Sequence, residues 1–189
     1  MEFSVANVNV YGIDETILAS SYPKSVDTVQ RDLTEQDWKR ARVLGKVPSG
    51  SGHDCMMKGI IMQCDITASH AFWLQYGRYH FSDIISSQSK MHRIMEMDLS
   101  YQCNHYVDQE VINRCNELKN EFLSANTREN FHHLIHNLPM GLMLTARITD
   151  NYLSLKTQYY QRRHEKLDEW LKYCAFMLGL PHFKELLNV

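Results

Sequence analysis

Phe3, Val5 and Val10 stand in a β-rich mixture of polar and apolar positions that predicts an N-terminal strand. From about Thr34 the pattern changes to a helix, with Thr34 as N-cap and Asp37 at the capping-box position. The run from Gly59 to Ile66 reads as a half-buried strand. Thr67 then caps a short helix carrying Ser69, Trp73, Gln75 and Arg78. Val111, Cys115, Leu118 and Phe122 recur at helical spacing and mark an amphipathic helix. Pro139 and Gly141 break the chain. The last third is mostly helical, from Asn151 to Gln161 and from His164 to Leu178, ending at Gly179-Leu180-Pro181. Helices and strands mix without a regular βαβ alternation, which predicts an α+β fold. The segment Val47-Pro48-Ser49-Gly50-Ser51-Gly52 reads as a mobile loop joining two elements of one domain that spans residues 1–189.

Composition narrows the function classes. The 189 residues suffice for one domain with a sizeable core. Twenty basic and 22 acidic residues leave a net charge of −2, which argues against broad phosphate neutralisation and so against a general nucleic-acid binder. A local basic pocket for one small anion remains compatible with it. No apolar run reaches the length of a membrane span, and Met1-Glu2-Phe3-Ser4 has neither a basic nor an apolar leader region. A cytoplasmic protein without a membrane partner is expected. The five cysteines are scattered, form no C-x-x-C pair and read as reduced, packed thiols.

The densest candidate chemistry runs from Ser69 to His80 and on to Ser89. An arginine beside a glutamine suits an anion or a carbonyl-rich ring, because both present planar donors. On one helix, Ser69, Gln75 and Arg78 would share roughly one face. Ser86-Ser87-Gln88-Ser89 adds hydroxyls of the kind that grip phosphates. The alternative is a polar helix and turn at a subunit or loop contact. His132 and His136 are four apart on a predicted helix, but a zinc site needs a third ligand, and a polar helix end is the better reading. Arg162-Arg163-His164 reads as an exposed helix start. Asp14-Glu15 and Asp168-Glu169 read as solvated helix charges. The methionines read as core filler. There is no Gly-rich phosphate loop and no usable Ser-His-Asp pattern.

In order and spacing these residues resemble the flavin-dependent thymidylate synthases, ThyX. That family carries Ser-Arg, four residues, Gln or Glu, two residues, Arg-His-Arg, and then a Ser that opens Ser-x-Arg-Tyr. Here stand Ser69-His70, four residues, Gln75, two residues, Arg78-Tyr79-His80, eight residues, and Ser89-Lys90-Met91-His92. An upstream His matches His53. Downstream, Leu-Pro, Asn-x-Arg and a later Arg are matched by Leu138-Pro139, Asn151-Tyr152-Leu153 and Arg162-Arg163. The resemblance covers nearly the whole chain.

It implies a mixed domain with a central antiparallel sheet flanked by long helices, assembled as a homotetramer with shared sites. It implies FAD contacts from His53, Arg78, His80 and Asn151, with Ser69 near the flavin. Gln75, Arg78 and Ser89 would line the deoxyuridylate (dUMP) pocket, and Arg162 would polarise the uracil ring. The implied reaction is reductive methylation of dUMP to thymidylate with methylenetetrahydrofolate and NADPH. The chain departs from the pattern at Tyr79 and His80, and at Met91, Leu153 and Ile135, where the family has guanidiniums. A relative acting on another pyrimidine, and a non-catalytic homologue binding a nucleotide or a protein, are the rival readings.

Overall fold

The computed structural model describes residues 1–28, 31–187 and 189. In chain order the elements are β1 (Ser4–Tyr11), α1 (Ile13–Ala19), α2 (Glu35–Gly45), β2 (Ile61–Ser69), α3 (His70–Tyr76), β3 (Asp83–Ser87) and α4 (Lys90–Arg93). There follow α5 (Leu99–Gln102), α6 (Gln109–Ser124), α7 (Arg128–Asn137), β4 (Met143–Asn151), α8 (Tyr152–Arg162), α9 (Asp168–Leu178) and α10 (Phe183–Leu187). The four strands form one antiparallel sheet in the order β1-β2-β4-β3. The α+β expectation holds. No helix among the described residues is long and apolar enough to cross a membrane.

The two inner strands show why they pair. Along β2, Met62, Cys64, Ile66 and Ala68 are buried while the residues between them are half-buried. Along β4, Leu144, Ala146 and Ile148 are buried and Thr145, Arg147 and Thr149 are half-buried. A period of two with β-branched residues on it is the strand signature. β3 at the sheet edge is exposed throughout.

The chain divides into two compact units. The first holds residues 1–6, 65–78 and 84–147. Its core joins Ile94, Leu99, Cys103, Ile112, Cys115, Leu118, Leu134 and Leu142, mostly from α5, α6 and α7. Burial pushes the Cys103 thiol up to about 11, so it is a packed, inert thiol. Gly141 is required here. A side chain on it would meet Val107 Cγ2 at 2.4 Å and Asn104 Oδ1 at 2.6 Å.

The second unit holds residues 7–64, 79–83 and 148–189. Its core takes Ile17 and Met57, the inner face of α8, and Trp170, Tyr173, Met177, Phe183 and Leu186 from α9 and α10. The Thr34–Asp37 capping box forms as expected. Thr34 Oγ1 accepts from the Asp37 N–H, and the Asp37 carboxylate accepts from the Thr34 N–H. Arg31, then Thr34 and Arg40, hold Asp37 far below the ordinary carboxylate range. Gly12, with φ of +77°, opens α1 where a side chain would strike Gly59 O at 2.5 Å.

Three boundaries differ from the expectation. β2 runs on to Ser69, so Thr67 lies in the strand and bonds Thr145 Oγ1 at 2.7 Å. Ser69, not Thr67, caps α3. The helix expected from His164 starts at Asp168. Arg162 therefore ends α8 rather than opening a helix.

Candidate functional site

In the first unit the sheet delivers Ser69 to the start of α3. Its buried Oγ accepts the Phe72 N–H at 3.3 Å, which commits the hydroxyl to capping. Gln75 is half-buried on α3. Arg78 lies past the helix end at Tyr76, so the single face expected for Ser69, Gln75 and Arg78 does not form. The exposed Arg78 guanidinium has no ion-pair or hydrogen-bond partner among the described residues. Ser89 caps α4 through its carbonyl, which accepts from the His92 and Arg93 N–H groups, and its hydroxyl makes no cap bond. Beside it, Lys90 is near enough to His70 to add to the effect of burial, and both lower the His70 pKa. Arg93 pairs with Glu96 at 2.5 Å on the surface. Met91 is exposed, and Ile135 packs against the core. The His132 and His136 rings lie 5.8 Å apart, and no cluster of three or more metal-ligating side chains occurs among the described residues.

In the second unit β4 ends at Asn151, whose Oδ1 accepts the Ser154 N–H at 3.0 Å and so caps α8. That leaves its Nδ2 as a donor. Asn151 lines a cavity of about 340 Å³ together with Ser49, Gly50, Lys58, Phe81, Leu153, Ser154 and Thr157. His53 is exposed and lines a different cavity, of about 790 Å³, whose walls include Lys24, Lys39, Arg40, Val43 and Leu44. His53 and Asn151 are thus in one unit but on separate cavities. His80 is exposed, in the segment before Phe81.

Arg162 is heavily engaged. Its Nε donates to Tyr79 Oη at 2.8 Å and its Nη1 to Glu165 at 2.5 Å. Its guanidinium stacks 4.9 Å from the Trp170 ring and 5.7 Å from the Tyr79 ring. The Lys166 N–H and then Arg162 hold Glu165 below the ordinary carboxylate range.

Next to Asn151 in the chain stands a carboxyl that sequence reasoning missed. Asp150 is buried, and its Oδ2 accepts from Ser82 Oγ and from Gln158 Nε2, the latter at 2.6 Å. Its Oδ1 accepts the Asn151 N–H at 2.7 Å. Burial raises its pKa to about 6, against the opposing pull of those hydrogen bonds. Lys58 and Phe81 were missed as well. Phe81 is 76% exposed, and Lys58 sits just before β2. The Pro-Ser-Gly segment, expected only as a mobile loop joining two elements, lines the cavity with Ser49 and Gly50.

Chemically, the smaller cavity of the second unit offers donors rather than nucleophiles, in Lys58 and Asn151 Nδ2. Donors of this kind match the acceptor oxygens of an anionic or carbonyl-bearing ligand.

Neither a protein-family model nor a curated protein sequence matches the chain. Solved structures do share its fold. One is the flavin-dependent thymidylate synthase ThyX from Helicobacter pylori complexed with FAD and dUMP. It superposes with a TM-score of 0.76 at 15% identity, covering 97% of this chain and 97% of that one. A second structure of the Helicobacter pylori ThyX with FAD and dUMP gives a TM-score of 0.76 at 14% identity, covering 99% of this chain and 97% of that one. At such identity the likeness is one of fold.

Proposed function

We propose that the chain binds FAD and dUMP as a diverged flavin-dependent thymidylate synthase, working as a homotetramer. The observation that carries this reading is a fold shared over nearly the whole of both chains with a protein whose structures hold FAD and dUMP. The donor set supports it. Arg78 is an uncommitted guanidinium suited to a phosphate or a ring carbonyl. Asn151 keeps a free amide donor at the end of β4. The Ser89 hydroxyl is free of capping duty.

When bound, the reduced flavin would supply the hydride, methylenetetrahydrofolate the carbon, and NADPH the reducing equivalents. Arg162 would stabilise negative charge on a uracil carbonyl. Tyr79 and Trp170 hold it in one place, and Glu165 offsets part of its charge. That pairing, with Met91, Ile135 and Leu153 at positions where guanidiniums are expected, favours a second reading in which nucleotide binds and turnover is slow or absent.

The test starts with the absorbance spectrum of the purified protein after incubation with FAD, followed by titration with dUMP. Turnover is then assayed with methylenetetrahydrofolate and NADPH, and light scattering gives the assembly. The reading requires flavin binding, dUMP binding and a tetramer mass. Failure to bind either FAD or dUMP overturns it. Binding without thymidylate formation selects the second reading.

A further inference from the structure

Among the described residues, Lys58 is the single charged side chain lining the cavity at the start of α8, and no carboxylate lines that wall. It is exposed and has no ion-pair or hydrogen-bond partner among the described residues. The hydroxyls nearby divide into two kinds. Thr157 Oγ1 donates to the Leu153 carbonyl, and Ser154 Oγ accepts from Gln158. Both are engaged within the protein. Among the described residues Ser49 has no such side-chain bond, and Asn151 keeps its Nδ2. The cavity's free polar groups are therefore an ammonium, an amide N–H and a hydroxyl. The remaining wall is apolar, and it contains the 76% exposed ring of Phe81 and the side chain of Leu153.

A polar set made of two donors and a hydroxyl that can also donate favours a ligand rich in acceptor oxygens. An unpaired ammonium favours an anion, and the N-terminal end of α8 adds a favourable dipole. An exposed aromatic ring in the same wall offers a stacking face for a flat ring. A cavity of about 340 Å³ holds a phosphate with part of a heterocycle. We propose that Lys58 anchors the phosphate of a phosphorylated planar heterocycle in this cavity, with Phe81 stacked on the ring. The inference deepens the flavin-nucleotide reading and rests on it only for the class of ligand.

Calorimetric titration of the full chain, its Lys58→Ala, Lys58→Arg and Phe81→Ala variants with FAD, dUMP and inorganic pyrophosphate tests it. Lys58→Ala weakens phosphorylated ligands by about tenfold or more, the scale for one charged hydrogen bond. The loss shrinks as salt rises, and Lys58→Arg retains most of the affinity. Phe81→Ala weakens FAD or dUMP but leaves pyrophosphate unchanged. If the wild-type chain binds pyrophosphate alone and Lys58→Ala abolishes this, the anion site stands and the flavin reading falls. If FAD and dUMP bind the wild type and Lys58→Ala equally, the inference falls and the flavin reading stands. If none of the three ligands binds the wild type, both fall.

Discussion

Replacing Asp150 by Asn should make the protein more stable near neutral pH relative to the wild type, although Asp150 accepts at least three hydrogen bonds. The carboxyl is 2% exposed, and burial lifts its pKa from the ordinary 3.8 to about 6. The unfolded chain releases this proton near its ordinary value, whereas the native state holds it to about 6. Between those values the native state binds more protons, so its stability falls as pH rises and levels off above the native pKa. At about 1.4 kcal/mol per pKa unit the loss is about 3 kcal/mol. The neighbourhood accommodates a neutral group at 150. Gln158 Oε1 is buried and unpartnered while its Nε2 faces the carboxylate. A half-turn of the Gln158 amide would turn that oxygen toward a protonated Asp150 or the Nδ2 of an asparagine. The assay is urea unfolding of wild type and Asp150→Asn at intervals from about pH 4 to about pH 7. Taking the difference between the two proteins removes groups such as Asp37, which titrate in both and act in the opposite direction. The stability gap should swing toward the variant by about 2.4 kcal/mol across the window, because part of the full loss is already present at about pH 4. A gap that stays level, or swings toward the wild type, refutes the reasoning.

Lys156 donates to Gly45 O, Val47 O and Asp54 Oδ2, with its side chain 2% exposed and that of Asp54 1%. Lys156→Met strands a buried carboxylate and should cost about 3–5 kcal/mol in urea unfolding, most of it recovered when Asp54→Leu is added. Thr34→Ala removes the cap of α2 and should cost about 1 kcal/mol, read as a Tm lower by about 2–4 °C; an unchanged Tm would count against the cap. Arg78→Ala should raise the dissociation constant for flavin or nucleotide by about ten- to a hundredfold, with an unchanged circular dichroism spectrum because the side chain is exposed.

What was legible in the sequence was local. The start of α2 was readable because Thr34 and Asp37 satisfy each other within one turn. The helix through Val111, Cys115, Leu118 and Phe122 was readable because Cys115 and Leu118 carry its burial, although Ile112 and not the exposed Val111 completes the buried face. β4 was not read, although Leu144, Ala146 and Ile148 alternate with polar residues. Its partners β2 and β3 are distant in sequence, and the nearby Pro139 and Gly141 dominated the pattern. Ser69 was read as part of a helical face because Thr67 was an equally good cap by residue type. The choice between them depends on where the sheet ends, and Thr67 is held in it by Thr145.

The candidate site divides along the same line. The order of its residues was visible, but which of them share a cavity was not, and His53 and Asn151 show the difference. Charge placement shows it further. A motif comparison expects a guanidinium at 153 and finds leucine. The structure puts Lys58, 95 positions earlier in the chain, on the same cavity wall as Leu153. A position that holds leucine where the resemblance expects a guanidinium thus shares its cavity with a cation from another element. Arg162, to which the proposal assigns ring polarisation, shares its charge with Glu165. On the proposed reading, phosphate anchoring by Lys58 and ring activation by Arg162 would draw on different residues. Affinity for a phosphorylated ligand can thus survive substitutions that slow the chemistry, and binding and turnover have to be measured separately.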